Sequence, residues 1–177
     1  MALKPTIFKF SVSLSDLERG YYDTLNLTIA QHPSETTERM MARVLAFCLN
    51  ASEHLNFTPG LSTPDEPDIS EHSLDGQFLL WVDVGEPGFE RIKKASRLAK
   101  AVAVYSFNSK SDVWWRQEQE KFKDLGVRVM QFPWPSVEAL AKLVQRTMEL
   151  SVTITGDSVY VATASGEVDV ALISLSA

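Results

Sequence analysis

Apolar and polar residues alternate along Ile7-Phe8-Lys9-Phe10-Ser11-Val12-Ser13-Leu14, the period of a half-buried strand. A second alternating run spans Tyr22 to Ala30, with Leu25, Leu27 and Ile29 on one face. Ser15 to Gly20 lies between them as a turn region, so the pair predicts an antiparallel hairpin. The period then changes. Met40, Met41, Val44, Leu45 and Cys48 recur at helical spacing, which predicts a helix opened by Pro33-Ser34 and running to about Ala51. Ser34 suits its N-cap, and Glu35 in the first turn suits the helix dipole. Asn56 to Glu66, rich in Thr, Pro, Gly and Ser, reads as a loop.

A short strand is expected near Pro67, then a turn at Leu74-Asp75-Gly76-Gln77. Phe78 to Asp83 is a continuous apolar run, the pattern of a strand buried on both faces. Glu86-Pro87-Gly88 breaks it, and a helix is predicted from Phe89 to Lys100. A strand at Ala101–Phe107, a helix capped by Ser111-Asp112 through Lys123, a strand at Val127–Phe132 and a helix from Ser136 to about Leu150 follow. This order is that of parallel strands with covering helices. Alternation returns at Val152 and Ile154, at Val159 and Val161, and at Val168, Val170 and Leu172, with turns at Gly156-Asp157 and Ser165-Gly166. No repeat, low-complexity tract or linker interrupts the chain. The expectation is one α/β domain (α+β mixed) over residues 1–177, a central sheet flanked by helices with antiparallel hairpins added at both ends.

The 177 residues are 45% hydrophobic and 23% charged, enough to build a core and ordinary for a soluble globular chain. A single cysteine cannot make an internal disulfide, and Met1 is not followed by a positive-then-apolar leader. No apolar run reaches the roughly 20 residues that span a bilayer. A cytoplasmic setting without membrane attachment is expected. The net charge of −6 counts against tight nucleic-acid binding, although a metal and a local basic patch can hold phosphates on an acidic protein. His32, His54 and His72 lie far apart and form no zinc pattern. Phosphate-binding glycine motifs and the Gly-x-Ser-x-Gly elbow are absent.

The chemistry concentrates between Pro67 and Ala95. Asp68 and Asp83 lie about fifteen residues apart around a turn, which lets adjacent strands bring two carboxylates to one edge. Hard cations such as Mg²⁺ take oxygen ligands of that kind and can activate water beside a phosphodiester. Asp83 ends an apolar run, where a free carboxylate is costly unless it is paired or metal-bound. Both a metal and an ion pair with Arg91 or Lys93 meet that need. On the following helix Ile92, Ala95 and Ala99 set the core face. Arg91 and Lys93 flank it, and Lys94 points nearly away. Glu38, three residues before Met41 and seven before Leu45, shares an edge of the first helix's apolar stripe and is a candidate third ligand, or an ion-pair partner of Arg43. Trp114, Trp115 and Arg116 near Lys110 offer base stacking or, more simply, packing against the sheet. Cys48 falls on the apolar stripe as an inert thiol.

The chain resembles the YaeQ family. The resemblance rests on the run from His32 to Met41, on Asp65-Glu66-Pro67, on Trp81-Val82-Asp83-Val84-Gly85, on Arg91-Ile92-Lys93-Lys94-Ala95 and on Arg146-Thr147-Met148. It implies a variant of the PD-(D/E)xK nuclease fold, with a restriction-endonuclease-like core of a four-stranded mixed sheet flanked by helices. By that resemblance Asp68 matches the first acid, Asp83 the second and Glu38 the helical glutamate. Gly85 stands where the pattern has a lysine. In some relatives of that fold the lysine has moved to the next helix, a role that Lys93 or Lys94 would fill. Mg²⁺, or Mn²⁺ in its place, is the implied cofactor, and nucleic acid the implied partner. The family carries no assigned activity, so fold carries over better than function. The expected function is a metal-dependent nuclease or phosphodiesterase. The alternative is a non-catalytic binding or regulatory module, with a protein partner, on a degenerate nuclease fold.

Overall fold

The computed structural model describes residues 4–58 and 65–176; part of the loop expected at 56–66 lies outside them. A hairpin of β1 (Thr6–Asp16) and β2 (Tyr21–Gln31) leads into helix α1 (Thr37–Leu49) and the short strand β3 (Leu55–Phe57). β4 (Ile69–His72), β5 (Phe78–Val84), α2 (Phe89–Leu98), β6 (Ala99–Ser106), α3 (Ser111–Phe122), β7 (Arg128–Gln131) and α4 (Trp134–Ala141) follow. β8 (Thr147–Thr155), β9 (Ser158–Thr163), β10 (Gly166–Ala171) and β11 (Ile173–Ser174) close the chain. The fold is mixed α+β.

β5, β6 and β7 run parallel, joined through α2 and α3, as the strand–helix alternation predicts. They form the centre of a sheet ordered β11-β7-β6-β5-β4-β3, mixed because β4 and β11 pair antiparallel. The terminal hairpins are not separate additions. They meet in a second sheet ordered β10-β9-β8-β1-β2, in which β1 and β8 pair parallel from Lys9↔Thr147 to Asp16↔Ile154.

One core unites this second sheet, α1, α4 and one face of the central sheet, through Phe10, Val12, Met41, Leu45, Val82, Val84, Leu140 and Val152 among others. α1 is buried without a break from Met40 to Cys48. A helix buried on every side needs apolar neighbours all round, and the two sheets supply them. The opposite face of the central sheet packs on α2 and α3 through Trp81, Ile92, Ala95, Val104 and Phe122. Alternation along β5 thus sends Val82 and Val84 to one core, and Trp81 toward the other.

Two further sequence expectations change, and the open reading of Trp114 and Trp115 takes its packing form. α1 begins at Thr37, and its N-cap is Thr36, whose hydroxyl accepts from the Arg39 N–H at 3.1 Å. Ser34 instead bonds His32 Nδ1 at 2.8 Å. The fourth helix starts at Trp134, behind Pro133, and ends at Ala141 rather than near Leu150. Thr147 to Leu150 belong to β8, where pairing with β1 on one side and β9 on the other outweighs a helical continuation. Trp114 and Trp115 pack on Phe122, and the Trp114 ring N–H donates to the Pro87 carbonyl at 2.9 Å, the packing alternative.

Candidate functional site

Asp68 lies just before β4, whose register begins at Ile69↔Val82. Its N–H donates to the Val82 carbonyl at 3.0 Å and its carboxylate accepts from the Val84 N–H at 2.7 Å, which sets it beside Asp83 at the C-terminal end of β5. The spacing of the two acids around the 74–77 turn therefore does bring them to one edge. Each is already partnered. Asp68 Oδ1 accepts from an Arg39 NH2 group at 2.7 Å, and Oδ2 from the Val84 N–H at 2.7 Å. Asp83, 2% exposed, accepts from Arg91 twice, through Nε at 2.7 Å and NH2 at 3.1 Å, and from the Trp81 ring N–H at 3.1 Å. Arg91 also donates to the Glu66 carbonyl at 2.7 Å and lies 5.8 Å from the centre of the Trp81 ring.

The pairing continues into α1. Arg39 NH1 donates to Glu35 at 2.6 Å and NH2 to the Val84 carbonyl at 3.2 Å. Arg43 holds the same glutamate from Nε at 2.9 Å and NH2 at 2.7 Å, and reaches the Ala30 carbonyl at 2.9 Å. Glu35 is buried, and the helix places Arg39 and Arg43 one and two turns after it. The result is a chain of alternating charge, Arg43–Glu35–Arg39–Asp68, ending against Asp83–Arg91. Three acids meet three arginines, so the cluster is formally neutral.

Its electrostatics follow from burial and neighbours. Burial pushes the Asp83 carboxyl up and Asp68 adds to this, against the pull of Arg91 and Trp81. Desolvation outweighs a well-formed ion pair here, as is common for buried charge pairs. The hydrogen bond to Asp83 holds the Arg91 guanidinium above its ordinary value, with burial opposing. Burial opposes the Arg39 charge, but Asp68 and Glu35 together raise it.

The other candidates lie apart from this arrangement. Lys93 sits with its ammonium 5.7 Å from the centre of the Phe89 ring. Lys94 pairs with Asp65 at 3.2 Å, both exposed. Glu38 is half-buried in the first turn of α1. Among the described residues no group of three or more His, Cys, Asp or Glu is placed to hold a metal ion, so Glu38 is not gathered with Asp68 and Asp83. The carboxylate oxygens that Mg²⁺ would need are taken by guanidinium and backbone N–H, so the residues as arranged do not fit a divalent ion. Gly85 has φ +123° and donates its N–H to the Tyr105 carbonyl at 2.8 Å. No atom crowds the site of a Cβ there; the backbone conformation itself disfavours any side chain, lysine included.

A family model described as YaeQ protein matches residues 1–172. This chain belongs to the YaeQ family. It is 39% identical to the uncharacterised YaeQ proteins of Salmonella typhi and Escherichia coli (strain K12), over 97% of this chain and 96% of each relative. The crystal structure of the YaeQ protein from Xanthomonas axonopodis pv. citri superposes with a TM-score of 0.95 at 35% identity, covering 98% of this chain and 99% of that one. The YaeQ protein from Pseudomonas syringae gives 0.93 at 37% identity, covering 98% and 97%.

Within this YaeQ chain, the run from His32 to Met41 builds the helix entry and much of the charge cluster. It supplies the His32–Ser34 bond, the Thr36 cap, Glu35 and Arg39. Glu35, Arg39 and Arg43 were not among the sequence candidates. Part of the signal was present: Arg39 and Arg43 lie four apart on one face of α1, and Glu35 just ahead of the helix is close enough in sequence to pair with both.

Proposed function

We propose that this YaeQ chain is a non-catalytic binding module on a degenerate PD-(D/E)xK nuclease-type fold. In this reading the metal-binding carboxylates of such a fold have become ion-pair partners. The observation that carries it is the double hydrogen bond from Arg91 to Asp83, beside a single one from Arg39 to Asp68, whose other oxygen is held by the Val84 N–H. A divalent cation entering there would have to displace two guanidinium groups that already neutralise the acids. The net charge of −6 favours a protein partner over nucleic acid.

Titration calorimetry with Mg²⁺ and Mn²⁺ tests this. No binding to the wild type is expected, while Arg91→Ala, which frees Asp83, should gain Mn²⁺ affinity. Metal-dependent cleavage of DNA or RNA by the wild type, lost on Asp83→Asn, would overturn the proposal.

The second reading is a Mg²⁺-dependent nuclease or phosphodiesterase. It is favoured by one observation, the placement of Asp68 beside Asp83, bonded to the backbone of Val82 and Val84 on either side of it. In that case Arg91, rather than Lys93 or Lys94, is the cation beside the acids, and cleavage should fall on Arg91→Ala but not on Lys94→Ala.

A further inference from the structure

β2 forms one edge of the second sheet. The Lys9 N–H donates to the Arg146 carbonyl, next to β8, at 2.8 Å. Odd-numbered residues of β1 therefore face β8, and even-numbered ones face β2. The register Phe10↔Leu27 and Val12↔Leu25 then turns odd positions of β2 toward β1. Tyr22, Thr24, Asn26, Thr28 and Ala30 point their backbone N–H and C=O groups outward. Two contacts agree: the Ala30 carbonyl accepts from Arg43 at 2.9 Å, and the Thr24 N–H donates to Asp23 Oδ1 at 2.8 Å. Among the described residues no protein hydrogen bond occupies the outward backbone of Tyr22, Asn26 or Thr28.

Edge strands are normally blunted by lysine, proline, a bulge or an inward charge. β2 runs eleven residues without lysine, proline or a break in register, and Asp23 is its one charged residue. We propose that β2 pairs with β2 of a second copy of this chain, antiparallel about a two-fold axis at Asn26. Outward groups must face outward groups, and this register does that: Tyr22 meets Ala30, Thr24 meets Thr28, and Asn26 meets itself. With the Ala30 carbonyl held by Arg43 and the Thr24 N–H by Asp23, the first two pairs each keep one ladder bond and Asn26 keeps both. Between them Leu25 meets Leu27, and Asp23 meets Ile29. Thr and Asn continue along the outer face, leucine along the inner one, and no like charges are opposed. Leu25 is only half-buried at the rim of the core, and the second copy's strand extends that rim. A single strand pair is a small interface, so the dimer is weak and concentration-dependent.

Sedimentation equilibrium of the full chain, from low micromolar to submillimolar, tests it. The mass should rise from that of one 19.8 kDa chain toward twice that value. Asn26→Pro removes the N–H at the axis from both copies, a change an edge strand tolerates, and should weaken association about tenfold or more. Thr24→Lys with Thr28→Lys sets like charges opposite one another, so association should fall and recover with added salt. Circular dichroism checks that each variant is folded, and if the proline variant is not, the lysine pair decides alone. A wild type that keeps the single-chain mass at every concentration overturns the proposal. So does a dimer indifferent to a folded variant.

Discussion

Arg91 holds Asp83 with two nitrogens while its own side chain is one-third exposed. Removing it leaves a buried carboxylate with one remaining side-chain donor, Trp81. Arg91→Ala should cost about 2–4 kcal/mol, read by chemical denaturation, because an unpaired buried charge is worse than no charge. The pH dependence has a definite sign. The folded pKa of Asp83 lies above its ordinary value of 3.8, so this group adds stability below that value and withdraws it as pH rises through the folded pKa. Calorimetric scans of wild type and Asp83→Asn should therefore differ by an amount that shrinks, or reverses in favour of Asn, as pH rises from about 4 toward neutrality. Gly85 makes a third prediction. With φ at +123°, Gly85→Lys should destabilise by about 1–3 kcal/mol through backbone strain alone, and should not create metal affinity. Asp83 was legible because it ends an apolar run, and helical phase narrowed its partner to Arg91 or Lys93. Only the contact itself separates the guanidinium fork from the ammonium above Phe89. Glu35 was misread for a local reason. A cap at Ser34 would put it on the first exposed turn, whereas the Thr36 cap leaves it ahead of the helix, turned inward.

At the scale of elements, that two-residue shift can be measured. Thr36→Ala should lower stability by about 1 kcal/mol, and Ser34→Ala by clearly less, because only Thr36 satisfies a free helix N–H. Equal losses in urea denaturation would contradict the assignment. The middle strands β5, β6 and β7 were readable because apolar runs and glycine-proline breaks are local signals. α4 was not, since Val144 and Met148 continue a helical spacing while Met148, Leu150, Val152 and Ile154 also fit a strand. Pairing of β8 with β1 and β9 resolves the ambiguity, and nothing near residue 147 announces it.

For the molecule as a whole, α1 is the hinge of the packing, enclosed by both sheets. Cys48 lies in it fully buried, its thiol pushed up to about 12 by desolvation. A thiol reagent should label the folded chain only as fast as it unfolds globally, and the labelling rate should track the unfolding rate across urea concentrations. Rapid labelling under native conditions would mean that α1 opens locally. No described helix is long and apolar enough to cross a membrane, in line with the hydropathy of the chain.

The parallel pairing of β1 with β8 has a consequence for synthesis. Lys9 waits for Thr147, so β1 remains half-paired during synthesis until β8 has followed it. During that interval the β1–β2 hairpin shows its apolar inner face and both edges to solvent or to whatever holds the nascent chain. Sheets closed by such distant partners fold slowly, and a chain stalled before residue 147 has no native way to cover that hairpin.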